Sequence, residues 1–164
     1  YDICFIPDGD TQGYLRAHLG ETQGPIVDCS GTELGRHRGH HGFTIGQRKG
    51  LDLRVPAPDG NPRYVLRIEP VGNRVVVGPR ESLLVSHLEG IRPTWTQHRV
   101  SGSWRGQVQY RAHGAALPAI ITTTGDDQVR VELDEPTRGV APGQSMVFFD
   151  VTRVVGSATI SGTS

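Results

Sequence analysis

The sequence predicts a mainly β chain: a small mixed, β-rich domain over residues 1–82, then a small antiparallel β-barrel over residues 83–164. Three observations lead there. First, 22 glycines and 11 prolines in 164 residues punctuate the chain too often for long helices. Second, from Leu88 onward, short runs rich in β-branched residues recur at near-regular spacing between turn residues, the pattern of a small barrel or sandwich. Third, only one segment, residues 10–20, carries clear helical spacing.

Taken in order, Asp2-Ile3-Cys4-Phe5-Ile6-Pro7 reads as a short apolar strand stopped by proline. Residues 10–20 read as a helix capped by Asp10 or Thr11, with Tyr14, Leu15 and Leu19 at helical spacing and Gly20 to end it. Pro25-Ile26-Val27-Asp28 reads as a strand and Ser30-Gly31-Thr32 as a turn. His37 to Leu51 is rich in glycine and cations and poor in hydrophobic periodicity, so it reads as a loop leading into a short helical or turn segment. Arg63–Ile68 and Arg74–Gly78 form a hairpin around Val71-Gly72-Asn73, and Pro79–Ser86 is a connection. The barrel strands are read at Val108–Arg111, Ala119–Thr122, Val129–Leu133, Ser145–Phe149 and Val154–Ile160.

Composition bounds the partners. The formal net charge is +0, so no global field draws the molecule to nucleic acid, and any basic surface is local. No apolar run approaches the roughly 20 residues of a membrane span, and no secretory signal is visible. The chain opens at Tyr1 without Met, the expectation for an expressed fragment. Two cysteines, Cys4 and Cys29, do not make a disulfide scaffold, and a cytoplasmic setting with reduced thiols is expected.

Cys4, between Ile3 and Phe5, reads on its own as a buried core cysteine, since a working thiol needs access and help in reaching the thiolate form. Cys29, at a turn, has no partner signature. The densest functional candidate is the segment from Glu33 to Arg54. Arg36, Arg38, Arg48, Lys49 and Arg54 there face only Glu33 and Asp52, a local excess of three positive charges in a neutral chain. Glycines let backbone approach a ligand and cations hold phosphates, so the segment reads either as a phosphate-contacting loop or as an exposed basic one. For Arg48 and Lys49, phosphate contact and support of the loop both stand. A metal site built on His37, His40 and His41 lacks a cysteine or carboxylate at ligand spacing, and none is expected. Gln109, Tyr110, Arg111 and Gln144 stand at strand edges or turns, where Tyr stacks on bases, Arg holds phosphate and Gln reads base edges, or where all simply decorate strands. No phosphate-binding P-loop or dinucleotide fingerprint is present.

Together these segments resemble one family, the bacterial tRNA 2-thiouridylases. Ile3-Cys4-Phe5-Ile6 resembles its cysteine motif, and Pro25 through Leu51, ending in Thr-Ile-Gly-Gln-Arg-Lys-Gly-Leu, is similar to its most specific signature. Tyr64–Gly78, Arg92-Pro93-Thr94-Trp95, Tyr110-Arg111 and Asp134-Glu135-Pro136 through Ser145 follow in the family's order. Asp2 replaces the usual glycine before Ile-Cys, and Gln109 stands where a basic residue often precedes Tyr-Arg. The resemblance implies that residues 1–82 are the family's central domain and residues 83–164 its C-terminal barrel, similar to the small barrels of translation factors. It further implies that a pyrophosphatase-loop domain, with its Ser-Gly-Gly-x-Asp-Ser site, precedes both, and that this domain binds ATP and Mg2+ and adenylates the wobble uridine (U34) of tRNA. Cys4 would then carry a persulfide received from a sulfur-donor protein and form a transient disulfide with a second thiol of the missing domain. Gln109, Tyr110 and Gln144, with Arg111, Arg48 and Lys49, would contact tRNA. This chain would hold no cofactor or metal of its own and would be inactive alone. Two other readings stand beside it: an RNA-binding module whose Cys4 is inert, and a hydrolase pairing Cys4 with His37, His40 or His41.

Overall fold

The computed structural model of the chain describes residues 11–164, so the strand read at Asp2–Pro7, and Cys4 within it, lie outside the described residues. The chain divides into two compact units, one ending at Leu83 and the other running Leu84–Ser164.

In the first unit the helix α1 spans Thr11–Leu19. Gly20 follows at φ +73°, the left-handed conformation that ends helices without penalty when no Cβ is present. Four strands follow: β1 Gly24–Val27, β2 Glu33–His37, β3 Tyr64–Glu69 and β4 Arg74–Gly78. Their order is β2-β1-β4-β3, with β1 parallel to β4 and the two hairpins antiparallel. β4 lies inside the sheet, and Val75, Val76 and Val77 are all buried. A continuous apolar run is the expected sequence for a strand covered on both faces. Val75 and Val77 join Ile26, Leu51 and Val65 in the core, with Leu34, Phe43, Leu53 and Ile68 packed around them.

The β1–β2 turn is built by one carboxylate. Asp28 Oδ1 accepts from the backbone N–H of Ser30 (2.8 Å) and of Thr32 (2.9 Å) and from the Ser30 hydroxyl (2.6 Å). Hydrogen bonds to the ionised form hold the Asp28 carboxyl below its usual range, the Ser30 hydroxyl contributing most.

The second unit is a closed six-stranded antiparallel barrel. Its strands are β5 Leu84–Trp95, β6 Ser103–Gln109, β7 Leu117–Thr123, β8 Gln128–Arg138, β9 Ser145–Asp150 and β10 Arg153–Thr163, in the order β10-β5-β8-β7-β6-β9. Closure removes the exposed edges that a flat sheet of these short strands would present. Along β8, Val129, Val131 and Leu133 point inward while Arg130, Glu132 and Asp134 face solvent, the strict alternation of a small barrel wall.

The mainly β class is therefore what the sequence predicts, but individual strands differ. β2 and β5 are additional to those read from the sequence. β6 begins at Ser103 rather than Val108 and stops at Gln109, so Tyr110 and Arg111 belong to the following turn, not to a strand.

Candidate nucleic-acid interface

Two places carry the residues singled out from the sequence, one in each unit. At one end of the barrel the β6–β7 loop folds back on itself. The Gln109 side-chain amide donates to the carbonyls of Gly114 (2.8 Å), Arg111 (3.0 Å) and Ala112 (3.4 Å). Gln109 thus fixes the loop from inside, a role a flexible basic side chain at this position would not supply in the same way. Tyr110 packs its ring against the barrel core. Its hydroxyl meets the Thr137 hydroxyl at 2.7 Å and donates to the Arg138 carbonyl at 3.3 Å. Exposed Arg111 lies with its guanidinium carbon 5.5 Å from the Tyr110 ring centroid, and donates to the carbonyls of Arg138 (3.3 Å) and Gly139 (3.1 Å).

A Cβ on Gly139, itself at φ +72°, would displace the Arg111 guanidinium that lies against it. Gln144 lies farther along the same β8–β9 connection, where its Oε1 accepts from the Ala141 N–H at 3.2 Å and shapes the turn before β9. The structure therefore brings Tyr110 and Arg111 together against residues 137–139, with Gln109 bonded within their own loop, and holds Gln144 on the connection that leaves residues 137–139. Most of their polar atoms are occupied within the protein. What the end offers outward is chiefly the exposed edge of Arg111 over an aromatic ring, an arrangement suited to phosphate or to stacking.

In the first unit the signature Thr44–Leu51 is a loop braced by Gln47. Its Oε1 accepts from the Thr44 N–H (3.0 Å) and its amide nitrogen donates to the Lys49 carbonyl (2.9 Å). The backbone on either side pairs with β3 through Gly46 N–H to Val65 O (2.8 Å) and Val65 N–H to Gln47 O (2.9 Å), and Leu51 anchors the loop in the core. Support of the loop thus falls to Gln47 and Leu51. Arg48 and Lys49 are left exposed at its tip, their side chains without an ion-pair partner among the described residues.

Beside this loop lies a cleft of about 420 Å³, lined by Arg36–Gly39, His41–Phe43, Gln47 and Gly50–Asp52. Sequence reasoning placed cations here but missed the residue that organises it, Asn73, in the β3–β4 turn. At φ +46°, Asn73 accepts a hydrogen bond from His37 Nε2 on its backbone oxygen (3.1 Å) and one from His40 Nδ1 on its side-chain oxygen (3.0 Å). Its amide nitrogen donates to the carbonyls of Gln23 (3.0 Å) and Thr22 (3.1 Å). One signal was available: Asn is among the few residues that adopt the left-handed conformation readily.

His37 is 4% exposed. Burial, the largest influence, lowers its pKa below the ordinary histidine range, assisted by His40, His41 and Arg36. A histidine buried neutral makes the folded state bind fewer protons than the unfolded one, so stability is full above pH ~6.5 and falls as pH drops below it toward the folded pKa. In a ¹⁵N-histidine NMR titration, His37 is expected to titrate below the ordinary histidine range, with denaturant midpoints falling over the same pH window. A His37 midpoint at or above the ordinary value would contradict the buried neutral state. Among the described residues no group of three or more His, Cys, Asp or Glu could hold a metal ion. No described helix is long and apolar enough to cross a membrane.

Comparison with known proteins covers both units. Residues 12–79 match the tRNA methyl transferase PRC-barrel domain family, and residues 85–160 match the aminomethyltransferase beta-barrel domain family. The chain is 59% identical over 162 residues to the tRNA-specific 2-thiouridylase MnmA of Cutibacterium acnes, covering 99% of this chain and 44% of that protein. It is 56% identical over 163 residues to the enzyme of the same name from Acidothermus cellulolyticus, covering 99% and 45%. With that from Streptomyces avermitilis it is 52% identical over 164 residues, covering 100% and 43%. The chain spans less than half the length of these curated relatives. Identity at this level along the entire chain, together with the two adjoining domain matches, places it in the tRNA-specific 2-thiouridylase family, of which it represents the C-terminal portion.

Proposed function

We propose that this chain is the central and C-terminal portion of an enzyme that exchanges the C2 oxygen of the tRNA wobble uridine for sulfur. The observation that carries the proposal is the 52–59% identity, over its whole length, to proteins named tRNA-specific 2-thiouridylase. Activation of the uridine oxygen by ATP falls to the preceding domain that the family resemblance implies.

Cys4 is the sulfur carrier. The terminal sulfur of its persulfide attacks C2 of the activated uridine, expelling the activated oxygen as the leaving group and giving a uridine–sulfur–Cys4 disulfide. A second thiolate, supplied by the preceding domain, attacks Cys4 Sγ. That step forms a protein disulfide and releases 2-thiouridine as its thiolate. External reductant regenerates both thiols. Arg111 and the ring of Tyr110 at the barrel end contact tRNA, with Gln109 and Gln144 shaping the loops that present them, and Arg48 and Lys49 add phosphate contacts from the first unit. The protein acts in the cytoplasm, where its tRNA, ATP and sulfur-donor protein meet, and this portion alone is inactive.

The test is direct. The full-length protein, given ATP, Mg2+, a persulfide donor and unmodified tRNA, is expected to produce 2-thiouridine detectable by mass spectrometry of digested tRNA. Tight tRNA binding without any thiouridine under these conditions would favour an RNA-binding module instead.

A further inference from the structure

The tip of the loop that carries Arg48 and Lys49 is held by one side chain. Thr44-Ile45-Gly46-Gln47 is a turn closed by Gln47 N–H to Thr44 O at 3.0 Å, with Gly46 at φ +87° in the third position, where a type II turn requires a positive φ. The Gln47 carbonyl then accepts from Val65 N–H, and Leu51 is buried in the core. Between those two anchors Arg48, Lys49 and Gly50 are exposed. Their one hydrogen bond among the described residues comes from Gln47 Nε2, which donates to the Lys49 carbonyl at 2.9 Å. The other end of the same amide, Oε1, accepts from Thr44 N–H at 3.0 Å.

These partners decide which side chain fits. An N–H faces one end and a carbonyl the other, so the group between them must accept at Oε1 and donate at Nε2. A carboxylate would turn an acceptor toward the Lys49 carbonyl, and asparagine is one methylene shorter. Gln47 brings no charge of its own, and the apolar anchor of the loop is Leu51, not Gln47. What Gln47 determines is where two adjacent, unpaired cations stand before a ligand arrives. A loop ordered in advance loses less entropy on binding, and its charges meet the ligand together.

We propose that Gln47 is a positioning residue for tRNA binding, its side-chain amide presetting the loop so that Arg48 and Lys49 engage the phosphates of the RNA backbone together. The proposal rests on the reading that these two cations contact tRNA phosphate. It deepens that reading by assigning their placement to an uncharged neighbour.

The experiment uses the full-length protein, unmodified tRNA and a cycle of variants. Gln47→Met keeps the length and charge of the side chain and removes both bonds. The second variant combines Arg48→Gln with Lys49→Gln, and the third carries all three changes. Gln47→Met is expected to bind tRNA about tenfold more weakly at low salt. Its log K against log salt slope is expected to be shallower by roughly 1, although no charge has been removed. Added to Arg48→Gln with Lys49→Gln, it is expected to change neither quantity, because an effect exerted through the cations vanishes with them. In thiouridine formation the KM for tRNA is expected to rise about tenfold with kcat unchanged. A merely structural role gives the reverse pattern: fewer folded molecules lower the apparent kcat, while KM and the salt slope of those that remain stay as in wild type. Gln47→Asn, too short to make both bonds, is expected to match Gln47→Met and decides the matter if the methionine variant does not fold.

Wild-type affinity and slope in the Gln47 variants would overturn the proposal, and so would an equal loss with and without the two cations. Wild-type affinity and slope in Arg48→Gln with Lys49→Gln would overturn the phosphate reading of the loop and the proposal with it. Formation of 2-thiouridine by the wild type in the same assay would leave the thiouridylase reading standing.

Discussion

Replacing Cys4 by serine in the full-length protein is expected to lower 2-thiouridine formation by roughly 10³-fold or more, with tRNA binding unchanged, whereas Cys29→Ser is expected to leave formation unchanged. The reason is chemical rather than positional. A serine hydroxyl cannot hold a persulfide, so no nucleophilic terminal sulfur is delivered, however well the tRNA is gripped. Cys29 is a free, exposed thiol in the turn after β1, beside Gly78, where its Sγ would lie 3.3 Å from an added Cβ. The turn around it is already fixed by Asp28, so serine at position 29 removes no bond on which the turn depends. The check is mass spectrometry of tRNA from both variants beside wild type, with a filter-binding assay to show that the tRNA still binds. Full activity in Cys4→Ser would make Cys4 a core residue and remove the sulfur-carrier assignment. Loss in Cys29→Ser would mean that the second thiol lies within this chain and not in the preceding domain.

What the sequence discloses here follows from the range of each interaction. β7, β9 and β10 were legible because Ala119-Ile120-Ile121, Met146-Val147-Phe148 and Val154-Val155 are local apolar runs between turn residues. β5 was hidden by its own composition: Gly90 and Pro93 interrupt it, and Arg92 sits at φ +54°, so a strand-period reading breaks at each. The structure explains Gly90, since a Cβ there would crowd Val129 at 2.8 Å, Ala158 at 3.1 Å and the end of Met146. At that point the barrel wall needs the smallest residue and not the best strand former. β6 was misplaced because Tyr110, a strong strand former, drew the strand past its true end, while its hydroxyl bonds to Thr137 and Arg138 settle it in the turn. The barrel-end residues could be named from the motif, yet their mutual bonding across 27 or 28 positions could not. The cleft was the least legible feature, because its organising bond joins His37 to Asn73 across 36 positions, and no local pattern announces a contact of that range.

The largest stability effect is expected in the barrel, from Phe148→Ala. Phe148 lies on β9, between β6 and β10, and is fully buried. Its ring stands 6.0 Å from that of Trp95 at 32° and 6.2 Å from that of Trp104 at 88°, and the two indoles meet each other at 5.8 Å. Three aromatics from three strands therefore interlock at one level of the core. Truncation removes the middle of that set and leaves a cavity, costing about 3–5 kcal/mol, with roughly 0.5–1.5 kcal/mol more for each aromatic pair lost. A unit of this size is stabilised by only about 4–12 kcal/mol in all, so the variant barrel should be largely or wholly unfolded at moderate temperature. Because Trp95 and Trp104 are the chain's two tryptophans, their fluorescence reports the barrel alone, and a red shift with a collapsed urea midpoint is the expected readout. The first unit contains no tryptophan, so its ¹⁵N-histidine signals, His37 included, provide the internal control. If they persist while the indole emission shifts, the barrel's stability rests on its own aromatic core. If the midpoint barely moves, the Trp95–Trp104–Phe148 cluster is not the keystone its geometry implies.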